Sequence, residues 1–369
     1  MPKGNKNMRN VPNLRFPEFQ GEWGKTMFDK ICTITTGNKN TQDKIEDGIY
    51  PFYVRSSIIE RINSYTFDGE AVLTAGDGVG VGKVFHYVKG KIGVHQRVYI
   101  LSNFKCDGKF SYYYFSSRFY NRVRKMSAKN SVDSVRHDMI AKMSIMHPER
   151  KEQQKIAAFL SLIDERIQTQ NKIIEKYESL IRGLNNSMFC QNKNAIPKLR
   201  FPGFLGNWND TIIGKMLKIG NGRDYKHLNK GTVPVFGTGG YMTSVDDYLH
   251  EGDSVCIGRK GTINSPIFLS GKFWTVDTLF YTHSFKNVLP RFCFYVFNHI
   301  NWLKYNEASG VPSLSKTTIE SIHVSTPSFY EQEKIAKFLT FISDKIEMEK
   351  SVLLSYQKQK NYLLRNLFV

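Results

Sequence analysis

Two stretches of this chain are written twice. PNLRFPEFQGEWG, residues 12–24, returns as PKLRFPGFLGNWN from Pro197, sharing Pro12/Pro197, Leu14/Leu199, Arg15/Arg200, Phe16/Phe201, Pro17/Pro202, Phe19/Phe204, Gly21/Gly206 and Trp23/Trp208. EQQKIAAFLSLIDERI (152–167) returns as EQEKIAKFLTFISDKI (331–346), identical at nine of sixteen positions. A repeat restricts architecture before any local structure is considered, because each copy has to be the same kind of folding unit. A chain of 369 residues has room for two such units, each with a core of its own. The order that follows is a basic tail expected to be disordered (1–11), a first body (12–150), a helix (151–190), a second body (191–328) and a second helix (329–369).

The helices are legible from their apolar spacing. Ile156, Leu160, Ile163, Ile167, Ile174, Tyr177, Ile181, Leu184 and Met188 recur at alternating intervals of four and three, and Ile335, Leu339, Ile342, Ile346, Leu353, Tyr356, Leu363 and Leu367 repeat the pattern. That is a narrow seam of a and d positions, suited to a facing helix rather than to a broad core. Gln170 and Glu349 interrupt it at equivalent places and Lys360 once more. Pro148 and Pro327 precede the two segments, where proline can begin a helix but not continue one. The first helix leads from body one to body two and the second starts at body two, so a shared seam requires an antiparallel coiled coil. About 37 residues at ~1.5 Å each make a rod of roughly 55 Å, with a body expected at either end. Two unrelated domains in series, each helix packing on its own body, is the competing arrangement; it leaves a five-heptad stripe without a purpose.

Each body opens on a proline-bounded aromatic segment and continues as short β-branched and aromatic runs between glycines. In body one these are KICTITTG, GIYPFYV, AVLTAG, GKVFHYV and QRVYILS; in body two, MLKIGNG, GTVPVFG, DSVCIGRKG, SPIFLSG and TLFYTHS. Such spacing predicts twisted or barrel-like sheets, so the class is α+β. One aromatic helix is expected per body, at 109–126 and 291–305, with its rings serving the core. Leu14, Phe16, Phe19 and Trp23 read as packing residues, and the opening segment as the hinge that seats each body.

Charge points outward. Lys plus Arg exceeds Asp plus Glu by 52 − 33, or +19, more than solubility asks for and suited to phosphate neutralisation. An acidic membrane surface would need a basic amphipathic helix or lipid anchor, neither of which is present in the sequence. MPKGNKNMRNV has no apolar core of a secretion signal, and no run approaches a membrane span. Five scattered cysteines without a CxxC pair suit a reduced, cytoplasmic setting. Candidate DNA contacts are the polar and basic residues around the glycine-rich turns: Arg55, Ser56, Ser57, Lys83, Gln96 and Arg97 in body one, and Thr238, Tyr241, Thr243, Ser244, Arg259 and Lys260 in body two.

Catalytic patterns fail when tested. DGVGVGK lacks the glycine and the hydroxyl residue a phosphate loop requires, and Asp77 would repel a phosphate. The dinucleotide pattern from Gly78 ends on Lys83. FGTGG (236–240) echoes a methyl-donor loop, but no Asn/Asp-Pro-Pro-aromatic sequence follows. The nine histidines have no metal-ligand spacing. Binding is favoured over catalysis.

The doubled P-x-LRFP-x-F-x-G-x-W opening, the doubled EQ-x-KIA-x-FL helix start after a proline, and the alternation of body with long helix resemble the DNA specificity subunit of type I restriction-modification systems, from Pro12 to Val369. The resemblance implies that each body is a target recognition domain reading one half of a bipartite double-stranded DNA site. It also implies that the paired helices set the spacing and dock two modification (methyltransferase) subunits. This chain would then hold no cofactor. S-adenosylmethionine, ATP and Mg2+ would belong to partner subunits, the last two to restriction (motor/nuclease) subunits when these join. Two other classes stay open at this point: a self-contained DNA methyltransferase or nuclease with an unrecognised active site, and a coiled-coil adaptor that binds protein only.

Overall fold

The computed structural model describes residues 10–126, 134–190 and 196–369. The tail expected to be disordered therefore lies outside the described residues as far as residue 9. Asn10 already belongs to the fold, its carbonyl accepting the Trp23 N–H at 2.8 Å. The chain divides into two compact units, Met1–Gln170 with Val352–Val369, and Asn171–Ser351.

In the first unit Thr33–Thr36, Val98–Ser102, Phe67–Ala75, Phe85–Val94, Tyr50–Tyr53 and Ile59–Ile62 form a six-stranded sheet in that spatial order. Every neighbouring pair is antiparallel except Tyr50–Tyr53 beside Phe85–Val94, where Phe52 faces Gly93 in parallel. The two longest strands bend where Gly69 faces Gly90, at φ +144° and +101°, a region open to glycine and strained for other residues. The bend brings Val94 round to the other edge, where its carbonyl accepts the N–H groups of Asn38 and Lys39 (both 3.2 Å) and the sheet curls toward a barrel. Glycine is required at Gly37 as well, since a Cβ there would lie 2.2 Å from the Val94 carbonyl oxygen.

The second unit carries the same sheet, split in two. Lys218–Asn221, Leu279–His283, Ser254–Gly258 and Ile267–Leu269 form one part, and Gly240–Val245, Lys230–Gly237, Lys272–Thr275 and His250–Glu251 the other. The registers match: Ala71↔Val88, Ala75↔Val98 and Phe52↔Gly93 in the first unit become Ser254↔Leu269, Gly258↔Leu279 and Val235↔Trp274 in the second. The splits fall at Gly252 and Gly271, φ +121° and +77°, the counterparts of Gly69 and Gly90. Bodies that look unrelated as sequences thus share one topology, because sheet pairing demands only apolar alternation and glycine at the bends.

Each sheet packs on one body helix. Gly108–Met126 buries Phe110, Tyr113, Tyr114, Phe115 and Phe119, with Phe115 and Phe119 stacked at 4.4 Å. Its counterpart runs Pro290–His299, shorter than the span expected from sequence. The turn Trp302–Tyr305 follows, with Trp302 buried and its indole N–H donating to the Phe297 carbonyl at 2.7 Å, which folds the chain back instead of extending the helix.

The two long helices are Arg150–Met188 and Phe329–Asn366. Each unit contains the start of one and the end of the other, running antiparallel. In the first unit Ile156, Leu160 and Ile163 share a buried cluster with Leu363, Leu367 and Phe368, and Asp164 pairs with Lys360. In the second, Met188 and Phe189 share a cluster with Ile335 and Leu339, and Glu178 pairs with Lys350 at 3.3 Å. Of the seam residues, Ile156, Leu160, Ile163, Ile174, Ile335, Leu339, Ile342, Ile346 and Leu363 are buried, while Ile167, Ile181 and Leu353 are half-buried. The polar interruptions are accommodated: Gln170 is buried, and Glu349 bonds Lys345 one turn earlier at 2.8 Å.

The repeated motifs are the joints of this arrangement. Arg15 donates from Nε and Nη2 to the two carboxylate oxygens of Glu152 at 2.8 and 2.7 Å, and Arg200 does the same to Glu331 at 2.7 and 2.8 Å. Both carboxylates are fully buried. The Leu14 N–H donates to Asn366 O, and Leu199 N–H to Ser187 O, both at 2.9 Å. The opening segment therefore bolts the start of one long helix to the end of the other, a rigid clamp where the sequence suggested a hinge. Leu14 is anchored through its backbone and is itself 38 % exposed, which corrects its reading as a core packing residue; Phe16 packs edge-on against Phe159 at 5.7 Å and Trp23 is buried, as read. The neighbouring glutamine completes the joint. Gln153 accepts the Asp107 N–H (2.8 Å) and donates to Pro148 O (2.8 Å), while Gln332 accepts the Leu289 N–H (2.9 Å) and donates to Pro327 O (3.1 Å).

Candidate nucleic-acid interface

Strand direction divides each body into a seat and a far end. Thr33 and Ser102 lie near Asp107, which Gln153 ties to the long helix; Gly37, Ala75 and Val98 lie at the opposite end of the same strands. Four residues at ~3.3 Å each separate the two ends by roughly 13 Å along the strands. The loops converging there are 37–40, 54–57, 76–84 and 95–97.

In the first body this end gathers Arg55, Asp77, Gln96 and Arg97. Arg55 Nη1 donates to Asp77 Oδ1 at 2.9 Å, and Arg97 Nε lies 3.7 Å from Asp77 Oδ2. Gln96 donates from Nε2 to Asn40 Oδ1 at 2.6 Å. Behind them His95 is buried, and burial holds its pKa below the ordinary histidine value, so the neutral ring accepts the Arg97 N–H at Nδ1 (3.0 Å). The Gly76 N–H donates to Arg97 O and its carbonyl accepts the Val135 N–H, both at 2.7 Å, which fixes the backbone that carries Asp77. Ser56 and Ser57 lie on the adjacent hairpin, with the exposed Ile58 and Ile59 beyond. Lys83 stands apart, its ammonium 5.8 Å from the Tyr120 ring centroid.

In the second body Thr238 packs over Gly258 and Gly261, beside Arg259 and Lys260. Arg259 N–H and Lys260 N–H both donate to Thr278 O (2.7 and 3.3 Å), Gly261 N–H donates to Pro312 O (2.9 Å), and Arg259 O accepts the Leu314 N–H (3.0 Å). Lys260 is exposed, and the Arg259 guanidinium lies 6.0 Å from the Phe280 centroid. Tyr241, 63 % exposed, shares a hydrogen bond with the Ser244 hydroxyl at 3.0 Å. Thr243 and Ser244 are half-buried along the strand leading away. Register makes Asp77 and Lys260 counterparts, bridged to Ser134 and Ser313 respectively, and makes Arg97 the counterpart of Thr278. Two steps past the paired residues Tyr53 and Phe236 come Arg55 and Thr238. Sequence reading missed Asp77, His95, Asn40 and Thr278, whose roles depend on loops far apart in the chain.

A second surface repeats instead of diverging. Beside the first long helix a groove of about 450 Å³ is lined by Glu70, Lys109, Ser161, Leu162 and Glu165; beside the second, one of about 430 Å³ is lined by Asp253, Arg291, Thr340, Phe341 and Asp344. Leu162 and Phe341 hold the same place in the repeated helix motif and are 56 % and 72 % exposed. Among the described residues no helix is long and apolar enough to cross a membrane, and no cluster of three His, Cys, Asp or Glu could hold a metal ion.

The fold is thus a tandem pair of α+β bodies, alike at their seats on the long helices and different in their far loops. The Type I restriction modification DNA specificity domain matches residues 20–179 and 206–355, once per repeat, and the chain belongs to that family. It is 23 % identical over 261 residues to the EcoDI specificity subunit of Escherichia coli, which covers 61 % of this chain. It is 24 % identical over 305 residues to a putative specificity subunit, MjaX, of Methanocaldococcus jannaschii, covering 75 % of this chain. The matches span 58 % and 67 % of those relatives' own lengths. The crystal structure of a type I restriction-modification S subunit from M. genitalium superimposes with a TM-score of 0.71 at 18 % identity, over 97 % of this chain and 99 % of that one. A structure from work on complex assembly and conformational transition of the type I system gives 0.55 at 13 % identity, over 94 % and 97 %.

Proposed function

We propose that this chain is the sequence-reading, non-catalytic subunit of a type I restriction-modification complex. Each body reads one half of a bipartite double-stranded DNA site, and the paired long helices set the unread spacing between the halves. The observation that carries this reading is the contrast between ends: matching seats, with Arg55, Asp77 and Arg97 at the far end of one body where the other has Thr238, Lys260 and Thr278. Shared machinery needs sameness, whereas two different half-sites need different side chains on one scaffold. The net charge of +19 supplies the sequence-independent part of the affinity.

The repeated grooves, each with an exposed apolar residue on a long helix, suit a partner that binds twice, and we assign them to two methyltransferase subunits. Restriction (motor/nuclease) subunits join that assembly when present. S-adenosylmethionine belongs to the methyltransferase partners, and ATP and Mg2+ to the motor subunits. The test is incubation of the purified chain, alone and with its modification partner, with DNA and labelled S-adenosylmethionine. Label should enter DNA only when both proteins are present. Methylation by the chain alone would refute the proposal, and a complex with no DNA affinity at any salt concentration would leave only a protein adaptor.

A further inference from the structure

The first body places a carboxylate between two arginines where a DNA-reading surface ought to be uniformly basic. Asp77 is the least exposed of the three, at 23 %, against 46 % for Arg55 and 65 % for Arg97, so the cations project and the carboxylate stands behind them. One carboxylate oxygen faces each guanidinium, at 2.9 and 3.7 Å. Arg55 spends only Nη1 on Asp77, and among the described residues its other donors have no protein partner. The loop does not rely on this cluster for its shape. Backbone bonds from Gly76 to Arg97 and Val135 hold it already, and exposed ion pairs add little to stability.

Two uses of the arginines can be separated by chemistry. A phosphate site gains from every positive charge and loses from a carboxylate within 4 Å. Guanine in the major groove offers two acceptors, N7 and O6, and no charge, so a guanidinium held in one orientation by a carboxylate on its other edge is matched to it. The second body has Lys260 in place of Asp77 and threonines in place of both arginines, so it lacks this carboxylate-held pair.

Resting on the specificity reading above, we propose that Asp77 is a positioning residue that orients Arg55 and Arg97 to read guanine, so the half-site of the first body contains a G·C pair read by these side chains. The test is the methylated motif of genomic DNA in a strain where the full chain, with its modification partner, carries Asp77→Asn, Asp77→Glu, Arg55→Lys or Arg97→Ala. Arg55→Lys and Arg97→Ala should each relax discrimination at a G·C position of one half-site by about 5- to 150-fold. Asp77→Asn should relax the same position while leaving thermal stability unchanged, and Asp77→Glu should restore part of the preference. The other half-site should keep its sequence in every variant. An unchanged motif, a first half-site without a G·C pair, or uniform weakening across both halves would overturn the inference. If the unmutated chain directs no two-part motif, the specificity reading itself falls and this inference with it.

Discussion

Removing the carboxylate of Glu152 should loosen the first unit far more than a surface substitution would. Glu152 is fully buried and Arg15 only 14 % exposed in its side chain, and two charge-assisted bonds of 2.7–2.8 Å join them. In Glu152→Ala the guanidinium keeps its bonds to the Gly21 and Gln20 carbonyls (2.6 and 3.0 Å) but loses its buried counter-charge, a change that costs about 3–5 kcal/mol. With a urea dependence of about 2–3 kcal/mol per molar, the unfolding midpoint should fall by about 1–2.5 M. The chain offers a local reporter. Its four tryptophans are Trp23, Trp208, Trp274 and Trp302, and only Trp23 belongs to the first unit. In protein labelled with 5-fluorotryptophan, the 19F resonance of Trp23 should disappear at lower urea, moving farther than the other three. Glu331→Ala should reverse the pattern, because Arg200 and Glu331 form the same clamp in the second unit. Replacing both partners, Arg15→Met with Glu152→Leu, should recover most of the loss, since no charge is then left buried without compensation. A shift below about 0.3 M for Glu152→Ala, or four resonances moving together, would refute the reasoning that the repeated motif is a clamp within each unit.

Three further perturbations address the remaining surfaces. Leu162→Glu or Phe341→Glu should each remove one copy of the modification partner, and the pair should remove both, as read by native mass spectrometry; unchanged stoichiometry would take the docking site away from the grooves. Inserting one heptad into each long helix should lengthen the unread gap of the target site without altering either half, and an unchanged gap would separate site spacing from the helices. Because the Leu14 N–H bonds Asn366 O at 2.9 Å, a circular permutant that joins the termini by a short linker and opens between Cys190 and Ile196 should fold and direct the same motif; loss of specificity in a soluble permutant would count against that closure.

The long helices and their seam were legible because a seven-residue apolar period over some five heptads admits few other folds. The opening repeat was visible too, but its role was not. Leu14 looks like a core residue in a sequence and Phe16 does pack on Phe159, but the ionic joint is made by Arg15, whose partner Glu152 lies 137 positions away. Common topology of the bodies escaped notice because it resides in backbone pairing and in glycine pairs such as Gly69 and Gly90, not in shared side chains. The short strands Gly24–Met27 and Ser144–His147, which close the first body beside its long helix, were likewise missed, having neither length nor clear alternation. Polar and basic residues around glycine-rich turns include Arg55 and Arg97 but pass over Asp77. In the fold Asp77 faces both arginines, where the second body has Lys260.

The central claim, that two bodies on one chain read two short sequences, is tested most directly by sequencing methylated bases in host genomic DNA with and without this gene. The account predicts a two-part motif with a fixed unread gap, present with the gene and absent without it. A motif that survives deletion, or that is a single uninterrupted sequence, would contradict it.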